Sequence, residues 1–188
     1  MLASGLLDDP GVTPRLVGSL DDALEAVLRA ASAQGLGAVR GRERLTGDAE
    51  AAARRICHEL AIGEADLVIQ GGEVVVQLPA NPGRGGRCQH LAVAAAQCIA
   101  GHADYVLLAA GTDGRDGASE DAGAIVDGAT LERASDAGLD AAAALAAGDS
   151  GSLLEATGDL LDTGPHRARM SAISCWRCAA HRSVSPAM

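Results

Sequence analysis

The chain has 188 residues, a formal net charge of −10, one tyrosine, one tryptophan and no phenylalanine. So acidic a chain argues against a phosphate-backbone partner, and the scarcity of aromatic rings removes the stacking platforms of single-strand binders, so no nucleic-acid partner is expected. The start, "MLASGLLDDPG", lacks the basic residues and apolar run of a signal peptide, and no apolar run reaches the ~20 residues of a membrane span.

No membrane partner is therefore expected, and a cytoplasmic protein is. The five cysteines are an odd count without framework spacing, which fits a reducing compartment. The length allows one ordinary domain or two small ones. Apolar residues make up 48% of the chain, and almost all of them are Ala, Leu and Val. A core of small side chains gains its burial energy only where helices and strands approach closely.

In chain order, "SLDDALEAVLRAASAQGLG" predicts an amphipathic helix. Ser19 stands as N-cap with Asp22 three residues on, and Leu20, Leu24, Val27, Leu28 and Ala31 form one stripe. Gly35 and Gly37 end it. "GDAEAAARRICHELA" predicts a second helix from near Asp48 to Ala61. The β-branched runs "DLVIQ" and "EVVVQL", separated by Gly71 and Gly72, predict either a tight hairpin or two strands of a larger sheet.

"CQHLAVAAAQCIAG" predicts a helix of small residues closed by Gly101, and "DYVLLAA" a fully apolar strand. Such a strand between helices favours an α/β sheet covered on both faces. The stretch from "LERASD" to "TGDLL" predicts short helices broken at Gly138 and Gly148.

Two loops carry the chemistry. "NPGRGGR", residues 81–87, lies between an apolar strand and a helix start. A glycine loop there can offer backbone N–H groups to an anion, aided by the helix dipole, with Arg84 and Arg87 adding charge-assisted contacts. A flexible turn is the equally weighted alternative. Neither G-x-x-x-x-G-K-[ST] nor G-x-G-x-x-G is present.

The second loop, "GTDGRDGASEDAG", follows the apolar strand and brings Asp113, Asp116, Glu120 and Asp121 together beyond its carboxyl end, where open α/β sheets take ligands. Clustered carboxylates repel unless a cation is near. That points to Mg²⁺ with substrate phosphates, or to an ion pair with Arg87 or Arg115. Turn-capping aspartates explain the same residues equally well. The spacing does not fit a calcium loop.

Three blocks in order, "GRGGRCQHLAVAAA", "AAGTDGRDGASEDAGAIVDG" and "LLEATGDLLDTGP", resemble the C-terminal MOFRL domain of type II glycerate kinases. These are ATP-dependent glycerate 2-kinases, long labelled hydroxypyruvate reductases. "VIQGGEVVVQL" resembles the segment just before, and "VGSLDDALEAVL" the end of the larger N-terminal domain. The resemblance implies an α/β fold with a mixed sheet covered by helices, incomplete at both ends. It divides the chain into a remnant of the N-terminal kinase domain (1–65), a MOFRL-like domain (66–165) and a divergent tail (166–188).

The activity implied is phosphoryl transfer from ATP, with Mg²⁺, to the 2-hydroxyl of D-glycerate. By resemblance, Arg87 matches the arginine of the family's "GRGGRNQE" and is expected to neutralise charge on the transferred group. Asp113 and Asp116 match the acids of its "GTDGxDG"; a metal-binding role is implied for both, and a catalytic one for Asp113. Gly83, Arg84, Gly85, Gly86, Thr112 and Gly114 are the implied substrate- or phosphate-binding positions.

The chain departs from the family in places. "RNQE" is here "RCQH", so Cys88 and His90 replace an amide and an acid, and "NDSY" is here "GDSGS" at residues 148–152. The family's N-terminal domain supplies an essential lysine, and the fifteen basic residues here are all arginine. A fragment inactive alone is therefore expected. The alternatives are a module pairing with a separate N-terminal half, and an NAD(P)H-dependent hydroxypyruvate reductase, for which no dinucleotide fingerprint is found.

After Pro165 the family continues with something like "TGTNVNDL", whereas this chain reads "HRARMSAISCWRC". Shifted by one frame, codons for "ARMSAISCWR" can encode "TNVSDLVLA", so a frameshift at or just after Pro165 is expected. The C-x-x-C at Cys175 and Cys178 is then accidental. Loss of a closing strand would leave a sheet edge uncovered, which predicts a marginally stable or aggregation-prone product.

Overall fold

The structure, a computed structural model, describes residues 18–63 and 65–164. The tail expectation after Pro165 lies outside the described residues. Helix α1 (Leu20–Ala33) begins with the reciprocal cap that its sequence predicts. The Ser19 hydroxyl accepts from Asp22 N–H at 3.2 Å, and Asp22 Oδ2 accepts from Ser19 N–H at 2.7 Å. Gly35, at φ +77°, lets the chain turn away after it. Ser19→Ala is expected to lower stability by about 1 kcal/mol, read from urea unfolding, because it removes one half of this cap.

The strands β1 (Ala38–Arg40) and β2 (Leu67–Ile69) pair in parallel, with Val39 opposite Val68. Leu24 and Ala31 of α1 pack on Leu67 and Ile69 to make a small core. Between the strands lies α2 (Ala49–Ile62), whose N-cap Asp48 accepts from Ala51 N–H at 2.9 Å.

The main core is built around α3 (Arg87–Ile99), which is buried along nearly its whole length. Its Leu91–Ala96 stretch faces Ala52, Ala53 and Ile56 of α2 on one side and Leu107, Ala109, Ala124 and Val126 of a sheet on the other. The alanines allow this close approach, as the composition requires. That sheet is antiparallel, in the order β3 (Val106–Ala110), β4 (Gly123–Asp127), β5 (Leu160–Leu161). The short helices α4 (Thr130–Asp136), α5 (Ala141–Ala147) and α6 (Ser150–Thr157) complete the layer. Gly138, Gly148 and Gly158, all at positive φ, end them. The fold is mixed α/β, with its parallel and antiparallel pairings in separate sheets.

Two details differ from expectation. Among the described residues only one face of β3 is fully buried: Leu107 and Ala109 are buried while Val106, Leu108 and Ala110 are half-buried. An antiparallel partner needs no crossover helix, so α3 covers one face only. The "EVVVQL" run also forms neither a hairpin nor a strand. Val75 instead exchanges hydrogen bonds with the segment entering α2, donating to the Gly47 carbonyl at 2.8 Å and accepting from Ala49 N–H at 2.9 Å. Gly72 permits this crossing: at φ +157°, a Cβ there would lie 2.1 Å from the Leu45 carbonyl oxygen.

Candidate functional site

The head of α3 is where the glycine loop and the acidic loop meet. Gly86, the N-cap residue, has no side chain to cap the helix. Asp116 does so from the other loop: Oδ1 accepts from Cys88 N–H at 2.9 Å and Oδ2 from Gln89 N–H at 2.7 Å. Asp116 is 2% exposed, and burial pushes its carboxyl above the usual range while the two amides pull it back. The Cys88 and Gln89 amides are thus already satisfied by an internal carboxylate, which also faces the positive end of the helix dipole.

The glycines make room for this arrangement. A Cβ on Gly86 would lie 2.3 Å from Asp116 Cγ and from its carbonyl oxygen, and one on Gly83 would lie 2.3 Å from Asp149 Cβ. Asp149 holds the loop from the α6 side, accepting from Arg84 N–H at 2.8 Å. Gly151 N–H donates to the Arg84 carbonyl at 2.8 Å. The loop is therefore a packed corner. Gly86→Ala is expected to destabilise the fold by about 1–3 kcal/mol in denaturant unfolding, because backbone as well as side chain must shift.

Beside this corner is a cleft of about 490 Å³. Val75, Val76, Leu78 and Pro82 form its apolar wall, and Gly83, Gly85, Gly86 and Arg87 form its polar rim. Among the described residues no acceptor meets the N–H groups of Gly85, Gly86 and Arg87. The Arg87 guanidinium, 39% exposed, is ion-paired to Glu73, which with burial opposing raises its pKa further. Gly85, Gly86 and Arg87 thus bring three amides without a described acceptor and one cationic residue to the lining of one cleft, an arrangement suited to an anionic oxygen cluster.

The other sequence-predicted residues lie outside it. Arg84 turns away, its side chain paired with Glu155 at 2.8 Å. Thr112, Asp113 and Gly114 form a turn after β3 in which Gly114 N–H donates to the Gly111 carbonyl at 3.1 Å and Asp113 Oδ1 accepts from Arg115 N–H at 3.3 Å. Asp113 is half-buried and Gly114 buried, and none of the three lines the cleft. Arg115 faces Glu120 at 3.5 Å.

Each oxygen of Asp116 accepts one α3 amide, so its carboxylate serves as a helix cap, and Asp113 lies in the neighbouring turn. Among the described residues no three His, Cys, Asp or Glu side chains converge as a metal site.

The structure adds two cleft residues that sequence reasoning gave no role. His90, one helical turn after Arg87, points its Nδ1 at the Ser150 hydroxyl, 3.5 Å away, and its Nε2 at Glu50, 3.7 Å away. Both His90 and Ser150 line the cleft. The spacing of three from Arg87 was the available signal.

Burial holds the His90 imidazole below its ordinary value, opposed by Glu50, Asp48 and Asp116. The unfolded chain then binds the proton more readily than the folded one. His90 leaves stability intact above the ordinary histidine value and erodes it as pH falls below. The wild-type melting temperature should drop between about pH 7 and pH 5 more than that of His90→Gln. Equal drops in thermal melts at the two pH values would contradict this.

The MOFRL family model matches residues 66–171. The D-glycerate 2-kinase of Thermotoga maritima is 45% identical over 98 residues, covering 52% of this chain and 23% of that protein. A protein of Agrobacterium vitis provisionally named a hydroxypyruvate reductase is 36% identical over 161 residues, covering 80% of this chain and 36% of that protein. The crystal structure of glycerate kinase from Thermotoga maritima superposes with a TM-score of 0.82 at 32% identity, covering 88% of this chain and 42% of that one. The chain thus spans well under half the length of the relatives it matches. With more than half of its residues matched, the chain belongs to the MOFRL family.

Proposed function

We propose that this chain is the C-terminal part of a glycerate 2-kinase, inactive alone, whose cleft at the head of α3 receives the transferred phosphoryl group. The observation that carries the reading is that Gly85, Gly86 and Arg87, whose amides meet no described acceptor, line one cleft together. Phosphoryl transfer needs little covalent chemistry from the protein: it needs positioning and neutralisation of charge on the equatorial oxygens. Preorganised amides and a guanidinium supply both, and they lose no reorganisation energy at the moment of reaction.

ATP is the donor and D-glycerate the acceptor in this reading, which rests on the glycerate kinases among the relatives. Bound Mg²⁺ would neutralise nucleotide phosphate charge, held by one or two carboxylates together with the nucleotide's phosphates, since no three candidate ligands converge among the described residues. Asp116 acts at a distance, holding α3 so that the rim keeps its shape. The apolar wall excludes water from one side of the cleft. The absence of lysine from the chain is the reason a second, lysine-bearing part is required. That part is a separate partner or an N-terminal extension.

The test is an assay of the chain alone and joined to the N-terminal segment of the Thermotoga maritima relative. With ATP, Mg²⁺ and D-glycerate, ADP release is expected from the joined form only. Oxidation of NADH with hydroxypyruvate by either form would replace this reading with the reductase one.

A further inference from the structure

The carboxyl ends of the β1–β2 parallel pair open onto a second depression, which shares no lining residue with the α3 cleft. Beyond β1 the chain runs Gly41, Arg42, Glu43, Arg44, and beyond β2 it runs Gln70, Gly71. Two adjoining cavities of about 220 and 230 Å³ lie there, and Arg42, Glu43, Arg44 and Gln70 line both. Helix α2 closes the first with Arg55, His58 and Glu59. The crevice outside the carboxyl ends of parallel strands is where open α/β sheets take ligands.

The wall is built rather than incidental. Gln70, 5% exposed, donates from Nε2 to Glu59 Oε2 at 2.5 Å, and Glu59 Oε1 accepts from Arg42 N–H at 3.0 Å. Glu59 thereby pins the loop through two neutral donors and keeps its negative charge at the wall. Gly41 is required by the same packing, since a Cβ there would lie 2.1 Å from Gln70 Cγ.

In a chain of net charge −10, four arginines line these cavities: Arg40, Arg42, Arg44 and Arg55. Arg40 and Arg44 share the single carboxylate of Asp21, which leaves one positive charge over. Arg55 Nη2 donates to the Thr46 carbonyl at 2.9 Å and makes no described ion pair. The Arg42 guanidinium and the His58 ring meet no partner among the described residues. Four arginine charges against the three carboxylates of Asp21, Glu43 and Glu59 leave a surplus of one positive charge at these cavities.

We propose that this depression binds a phosphate-class anion, with Arg42 and Arg55 as its charged ligands and His58 as a further donor. Guanidinium forks match the planar spread of phosphate oxygens and hold them bidentately. The site is independent of the phosphoryl-transfer reading, and neither stands or falls with the other.

The test follows the His58 ring resonances of the full chain by NMR as inorganic phosphate replaces chloride at constant ionic strength. A saturable shift is expected, with a midpoint on the order of 1 mM. Arg42→Gln should raise that midpoint about tenfold, and Glu43→Gln should lower it. Arg42→Gln is chosen because its side chain has no described partner to lose, so the loop stays pinned through its backbone.

A parallel titration with adenosine monophosphate separates sources. A lower midpoint assigns a nucleotide's phosphate, and an equal one assigns the phosphate group alone. Three results would overturn the proposal: a shift that does not saturate, a saturable shift unaltered by Arg42→Gln, or one abolished by Arg87→Ala.

Discussion

Asp116→Ala is expected to lower the unfolding free energy by about 2–4 kcal/mol, measured by denaturant unfolding. The carboxylate is 2% exposed and caps α3 through two amides, at 2.9 and 2.7 Å. Alanine would leave both N–H groups buried without acceptors and remove a negative charge from the positive end of the helix dipole. Asp116→Asn should lose roughly half as much, because its amide oxygen can still accept while its NH₂ cannot. A metal-binding role predicts the opposite. Removing a buried carboxylate whose partner was a missing cation would leave the metal-free chain unchanged or more stable. The sign of the change therefore separates the two roles.

Arg87→Ala makes the complementary case. Stability should change by less than about 1 kcal/mol, because the pair with Glu73 is solvent-exposed on both sides, at 39% and 60%. Turnover of the joined enzyme should fall by about 10²–10³-fold, the loss seen when one preorganised charge or donor is removed from a transition-state site. Arg87→Lys should recover only part of it, since an ammonium reproduces the charge but not the planar fork. Near-normal turnover of Arg87→Ala, measured by ADP release, would remove the guanidinium from the mechanism.

The sequence made the local structure legible. Ser19 with Asp22, and Asp48 before its helix, announce their helix starts through short-range hydrogen bonds that neighbouring residues fix by themselves. Gly35, Gly138 and Gly148 announce helix ends for the same reason. "EVVVQL" was misleading because β-propensity describes a fit to a pleated surface. The lateral bonds of Val75 to the entry of α2 decided its state instead.

At the site, the two loops were legible as chemistry, but the contact that joins them was not: Arg87, one expected partner of the acidic loop, pairs with Glu73 instead. Asp116 reaches back to Cys88 and Gln89 across nearly thirty residues, and no spacing within "GTDGRDG" encodes that contact. The same holds for His90 and Ser150, sixty positions apart. Clustered carboxylates in a sequence look like a cation site. In the fold one of them serves as a helix cap, and that is a property of tertiary packing.

Completion of a glycerate 2-kinase by this chain, as proposed above, can be read from its product. The most direct measurement is ³¹P NMR of the product made by the chain joined to a lysine-bearing N-terminal segment, supplied with ATP, Mg²⁺ and D-glycerate. A 2-phosphoglycerate resonance is expected with the wild-type chain, and its near disappearance with Arg87→Ala. A 3-phosphoglycerate resonance, or no phosphorylated glycerate from a folded and assembled protein, would contradict it.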